Sequence, residues 1–345
     1  MITLFNIILS LYLIKLETKK GKKIGIVGVR HEVNIGNNLI KYAISIKLKE
    51  LGYIPYIIGT HWNNFNITFI NENTNLIIIH DNFSEIKEDD YDALIVNSDQ
   101  TWRKFDEFFF DYGFLKFAEH WNIKKFVYGA SLGFDDWKLS LEDDLMAKNL
   151  LQNFSGISVR EQGSIPLIKE HFGVIPECVL DPTLLIDKKY YLNIIKNYHG
   201  KKVYEQKYIF IYAVLYSKEI IDAMNNASEI LNYDKYYFKL SNKSTIQDFI
   251  YYLDKSSAVI TNSFHGTIFA IMFNKPFITI YDKFNAKERY SSVGNLFNVH
   301  ERLFENGREI NYNLLLKPLK INTKLLNQHK LKSINFLKEN LEKII

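Results

Sequence analysis

Three polar clusters in this 345-residue chain have the residue types of reactive turns. The most pointed is Thr261-Asn262-Ser263-Phe264-His265-Gly266-Thr267, which ends one apolar run and opens another. A polar turn feeding a helix start offers unpaired N–H groups and the positive end of the helix dipole, which suits an anion. Gly266 would let a ligand approach the backbone closely. His265 beside that anion could hold a proton or deliver it. The competing reading is a plain helix cap by Ser263 or Thr267 with a hydrogen-bonded histidine.

Arg160 follows Ile157-Ser158-Val159, where a guanidinium can fork a carboxylate or phosphate. The competing reading, favoured for the residue in isolation, is a surface ion pair with Glu161 or Glu170. In Asn97-Ser98-Asp99-Gln100-Thr101-Trp102-Arg103 a carboxylate precedes an indole. Asp99 and Gln100 could then hold sugar hydroxyls while Trp102 packs against a C–H face. The alternative is a helix cap over a buried tryptophan. The turn through Gly36-Asn37-Asn38 has a single glycine and is not a dinucleotide fingerprint. No Walker loop, His-Glu-x-x-His or Asp-x-Asp motif with downstream ligands occurs, so no metal and no cofactor is expected.

The elements that must carry these turns alternate between strand and helix. Short apolar runs predict strands over 24–29, 54–58, 76–79, 93–96, 126–128 and 157–159, with helices over 39–51, 141–154 and 162–171. After a Tyr- and Lys-rich stretch reaching Lys207 the alternation restarts. Strands are expected over 208–214, 236–238, 258–261 and 276–280, and helices over 218–231, 245–253 and 267–273. The fold class is therefore α/β, with two Rossmann-like domains facing across a cleft lined by the carboxyl edges of both sheets. The expected division is a leader at 1–21, an acceptor-side domain at 22–185, a donor-side domain at 186–310 and C-terminal helices at 311–345.

Composition narrows the function. At 47% hydrophobic and 24% charged the chain can bury a core, which excludes global disorder. A net charge of +4 advertises no nucleic-acid field. One cysteine, Cys178, excludes a disulfide framework and a multi-thiolate zinc site, and fits a reducing compartment. The apolar segment from Met1 to Leu16 is interrupted by Asn6, Ser10 and Lys15 and is short for a membrane span. It lacks a basic n-region and a small-residue cleavage site, so a signal peptide is not expected. Lys19, Lys20, Lys22 and Lys23 follow it. Such a leader suits either peripheral contact with an anionic membrane surface through residues 1–23 or an extra helix packed on the domain.

Taken in order, Asn34-Ile35-Gly36-Asn37-Asn38, the Asn97–Arg103 segment, Ile157-Ser158-Val159-Arg160-Glu161, Val179-Leu180-Asp181-Pro182-Thr183-Leu184-Leu185 and the Thr261–Thr267 turn resemble the polysaccharide pyruvyl transferase family over about residues 24 to 300. The resemblance implies a fold like that of GT-B glycosyltransferases. It implies transfer of the enolpyruvyl unit of phosphoenolpyruvate onto two hydroxyls of a sugar, giving a cyclic ketal, without a metal. His265, Asp99 and Arg160 are then the catalytic candidates. Arg160, Ser263, His265, Gly266 and Lys283 are the donor-binding candidates, and Asn37, Asp99, Gln100 and Trp102 the acceptor-binding ones. The acceptor would be a surface-polysaccharide precursor, lipid-linked or free, met in a bacterial cytoplasm or at the inner membrane face. Two alternatives stand beside this reading: a group transferase using a nucleotide-activated donor, and a non-catalytic saccharide- or anion-binding protein.

Overall fold

A computed structural model describes residues 21–29, 34–60, 77–80, 83–133, 135, 137–200, 204–214, 216–241, 244–282 and 287–342. The leader through residue 20 lies outside the described residues, as does Lys283. The first sheet is built from β1 (Lys23–Val27), β2 (Ile54–Thr60), β3 (Ile77–His80), β4 (Ala93–Val96), β5 (Lys124–Ala130), β6 (Gly156–Val159) and β7 (Glu177–Cys178). They lie side by side in the order β3-β2-β1-β4-β5-β6-β7, all parallel. The second sheet comprises β8 (Tyr208–Tyr212), β9 (Asp234–Phe238), β10 (Ala258–Thr261), β11 (Phe277–Tyr281) and β12 (Leu303–Glu305), in the parallel order β12-β11-β10-β8-β9. Helices covering both faces of a parallel strand explain why the central strands read as unbroken apolar runs: β4 is Ala-Leu-Ile-Val and entirely buried.

Ten α-helices connect the described strands: α1 (Ile35–Glu50), α2 (Phe109–Phe114), α3 (Leu141–Leu151), α4 (Ser164–Phe172), α5 (Lys188–Ile194), α6 (Lys218–Leu231), α7 (Ile246–Lys255), α8 (Phe264–Met272), α9 (Lys287–Phe297) and α10 (Thr323–Leu341). The largest apolar core does not stop at either domain. It runs from Ile26, Leu39 and Tyr42 of the first to Phe249 and Phe269 of the second. Tyr191 bridges them, its ring 6.0 Å from that of Tyr42 and 5.0 Å from that of Phe269. This side of the domain boundary is cemented by hydrophobic burial.

Of the C-terminal helices expected over 311–345, the described residues form one α-helix, α10, which returns to the first sheet. Phe336 packs on Phe126 and Tyr128, and Ser333 Oγ accepts a hydrogen bond from the Leu180 amide at 2.9 Å. No helix among the described residues is long and apolar enough to cross a membrane.

Candidate active site

Parallel sheets gather their strand ends on one edge, and here both carboxyl edges face one cleft of about 460 Å³. The first domain contributes Asp99 after β4 and Arg160 after β6. The second contributes Ser263 and His265 at the start of α8, together with Arg289 on α9. Asp181, past β7, reaches the same cluster from below.

Arg160 is the hub. Its Nη1 donates to Asp181 Oδ2 at 2.7 Å and its Nε to Glu161 Oε1 at 3.0 Å, while Nη2 lies 3.8 Å from Asp99 Oδ1. The guanidinium also sits over the Phe264 ring, 4.2 Å from its centroid. Burial works against the charge, but Glu161, Asp181 and Asp99 outweigh it and hold the Arg160 pKa above its ordinary value. The ion-pair reading with Glu161 is thus correct, in a buried network rather than on the surface. Glu170 is not among the ion-pair partners of Arg160, which are Asp99, Glu161 and Asp181.

Asp99 adopts φ 100°, a strained backbone for a residue with a side chain, of the kind that clusters at functional sites. It is pinned by its carbonyl, which accepts from the amides of Thr101 and Ser131. Its carboxylate accepts from Asn37 Nδ2 at 3.2 Å. Burial raises the Asp99 pKa, and Arg160, then His265, the Asn37 amide and Arg289 more than reverse that, leaving it ionised below the usual carboxylate range. Asn37 therefore stands behind Asp99 and does not line the cleft itself; Gln100 does.

His265 crosses between domains. Its Nε2 is 3.5 Å from Asp181 Oδ2, and its ring rests on the first turn of α1 at Gly36. Asp181 is held on its other oxygen by the amide and hydroxyl of Thr183, at 2.9 and 2.6 Å. Burial opposes its ionisation, but His265, Arg160 and Thr183 together drive its pKa well below the usual range. A carboxylate so fixed can orient the imidazole beside it. Of the buried side-chain atoms without a hydrogen-bond partner among the described residues, His265 Nε2 belongs to a residue that lines the cleft, and Asn37 Oδ1 and Glu161 Oε2 belong to direct neighbours of Asp99 and Arg160. A buried polar atom left unpaired at a cleft wall can be satisfied by a polar ligand.

Two expectations are corrected. Trp102 is no sugar platform: it is fully buried, stacked on Phe114 at 5.6 Å, with Nε1 donating to the Gly113 carbonyl at 3.0 Å. An indole in this chain lowers the free energy more by burying its ring and satisfying its N–H than by waiting for a ligand. Gly266 is not open to a ligand either. A Cβ there would lie 2.2 Å from Thr261 Oγ1, so the glycine serves close packing of α8 on its own strand. Ser263 both caps α8, accepting from the Gly266 amide at 3.3 Å, and lines the cleft.

Three residues at the site were not singled out from the sequence. Asp181 lay inside a quoted block without a role. Arg103 closes another such block and stands exposed at the cleft rim, its Nη1 donating to Gln100 Oε1 at 3.2 Å. Burial, and behind it the charge of Arg289, lower the Arg103 pKa. Arg289 lies on a helix that was not predicted, although Tyr290, Val293 and Phe297 show its apolar spacing. Its Nε is 3.9 Å from Glu161 Oε1. Three carboxylates already surround Arg160, and Arg103 and Arg289 bring two further guanidinium groups to the same cleft. Among the described residues no three His, Cys, Asp or Glu side chains are grouped to hold a metal ion.

Comparison with known proteins bears on the fold and the family. The UDP-GlcNAc 2-epimerase of Neisseria meningitidis is similar with a TM-score of 0.58 and 10% identity, over 93% of this chain and 100% of that one. The Methanocaldococcus jannaschii UDP-GlcNAc 2-epimerase gives 0.53 and 14%, covering 91% and 92%. A glycosyltransferase from Rickettsia africae gives 0.50 and 12%, covering 94% and 98%. These likenesses establish a two-domain GT-B-like fold. A search of curated proteins finds no sequence match. The family model for polysaccharide pyruvyl transferase matches residues 34–283, a stretch that begins at the α1 cap, ends just past β11 and contains Asp99, Arg160, Asp181 and His265. The chain is a transferase and belongs to the polysaccharide pyruvyl transferase family.

Proposed function

We propose that the protein transfers the enolpyruvyl unit of phosphoenolpyruvate to two hydroxyls of a saccharide, forming a cyclic pyruvate ketal. The observation that carries this reading is the meeting of Arg103, Arg160, Arg289 and His265 opposite the ionised Asp99 in one interdomain cleft. Phosphoenolpyruvate carries a carboxylate and a phosphate close together, and guanidinium forks match both. In this account Arg103 and Arg289 take the donor's charge and Arg160 fixes the three carboxylates that frame it.

His265 is the proton donor. Its proton goes to the methylene carbon of the donor, leaving positive charge at the adjacent carbon, which one sugar hydroxyl attacks while Asp99 orients that hydroxyl and receives its proton. Phosphate leaves with the C–O electron pair, held by the arginines. The second hydroxyl attacks the carbon that phosphate has left and closes the ring, its proton returning to the His265 imidazole that gave one up. Asp99 passes the first hydroxyl's proton to the departing phosphate. Lys283 remains a proposed further donor contact. The donor and a surface-polysaccharide precursor would meet in the cytoplasm, with the basic leader bringing the enzyme to the inner membrane face.

The test is incubation with phosphoenolpyruvate and a panel of saccharide acceptors, following inorganic phosphate and ketal by NMR. Release of one phosphate per ketal supports the reading. Turnover of a nucleotide sugar in place of phosphoenolpyruvate would overturn it.

A further inference from the structure

Besides the shared apolar core, to which α9 gives Val293 and Phe297, the domains are joined by polar contacts on the first turn of α9. Asp135, on the first-domain loop after β5, accepts from the backbone amides of Lys287 and Glu288, at 2.9 and 3.1 Å through its two oxygens. It caps a helix of the other domain. A carboxylate on helix-start amides gains from both the charge-assisted bonds and the dipole. Glu288 returns the contact: its Oε1 accepts from the Gly163 amide, at the start of α4 in the first domain, at 3.0 Å. The next residue is Arg289, whose guanidinium faces Glu161 and Phe264.

We infer that Asp135, Glu288 and Gly163 form an interdomain clasp that sets Arg289 in the donor site, making Asp135 a positioning residue for anion binding. The inference rests on the donor-site reading given above. Residues 287, 288 and 289 share one helical turn, so a displacement of the clasped pair is passed to Arg289 through rigid backbone. None of the three clasp residues lines the cleft. Seating the first turn of α9 on the first domain and placing Arg289 in the cleft are therefore one event. The clasp holds only when both domains are in place, which ties donor affinity to the closed arrangement.

Two variants break the clasp without touching the cleft. Asp135→Ala removes the cap. Gly163→Ala keeps an ordinary backbone, since Gly163 has φ −71°, but its Cβ would fall 2.1 Å from Glu288 Cδ and push that flexible carboxylate aside. Phosphoenolpyruvate and inorganic phosphate are titrated into each variant by calorimetry, alone and combined with Arg289→Gln. Each variant should weaken both ligands about tenfold in the wild-type background and add nothing in the Arg289→Gln background. Unchanged affinity, or full additivity with Arg289→Gln, would overturn the clasp. If the wild type binds neither ligand, the functional reading fails and hydrogen exchange of the ligand-free protein decides the clasp. Lost protection over residues 287–293 in Gly163→Ala, which leaves Asp135 in place, supports it. Unchanged protection there overturns it.

Discussion

Gly36 and His265 occupy each other's space across the domain boundary: a Cβ on Gly36 would lie 2.1 Å from His265 Nδ1. The imidazole is thereby keyed into the first turn of α1, with Asp181 at its other nitrogen. A residue of the second domain takes its position from two residues of the first, so the imidazole proposed as proton donor is positioned by domain contact.

Gly36→Ala should therefore disable His265 while leaving α1 intact, because alanine is the better helix former. We expect transfer to fall about a hundredfold, the scale of a misplaced reacting group, with unchanged circular dichroism. Wild-type turnover in this variant would show that His265 has room to move.

Arg160→Ala should be a stability mutant as well as an inactive one. It leaves three carboxylates without their common partner, and breaking such a buried network costs about 3–5 kcal/mol. Arg160→Lys should not restore activity, since one ammonium cannot reproduce the fork to Asp181 and Glu161. Thermal melts and donor titrations of both variants check this; a lysine variant with wild-type stability and affinity would contradict it.

Acid sensitivity follows from the depressed pKa values of Asp99 and Asp181. On acidification the unfolded chain takes up these protons first. The carboxylates' contribution to stability is complete above the unfolded value of about 4 and drains as pH falls through the lower folded values. Melting temperature should drop steeply below about pH 4. Asp181→Asn should be less stable at neutral pH and lose less on acidification. Parallel curves for the two proteins would show that Asp181 is not part of this loss.

Trp102 supplies a contrast. Trp102→Ala should lower stability by about 3–5 kcal/mol through the cavity left beside Phe114 and Phe172. In Trp102→Phe, which keeps most of the packing, the acceptor KM should match the wild type. A raised acceptor KM with unchanged stability would return the indole to the sugar site.

Much of this architecture was legible in the sequence because parallel strands are buried on both faces. Ala93–Val96 and Ala258–Thr261 are found as expected, as is the helix Lys218–Leu231. The short edge strands β7 and β12 escaped notice, being two and three residues long with little apolar pattern. At the site, the strand-end positions of Asp99, Arg160 and His265 were readable, since topology alone sends them to one edge. The partners were not. Nothing local to Asp181 or Gly36 tells that each touches His265, and Arg289 depends on a helix clasped by the other domain. The tryptophan misled because an indole after a carboxylate looks the same whether it faces solvent or packs beneath the turn.

The most direct test of the account is a calorimetric titration of phosphoenolpyruvate into wild type, Arg289→Gln, Arg103→Gln and His265→Ala. The account predicts saturable binding to the wild type that weakens at least about tenfold in both arginine variants, each having lost one charge-assisted contact. His265→Ala should retain measurable binding but perform no transfer. Equal affinity in all four proteins, or no binding to the wild type at concentrations where a UDP-sugar saturates it, would contradict the assignment of this cleft to phosphoenolpyruvate.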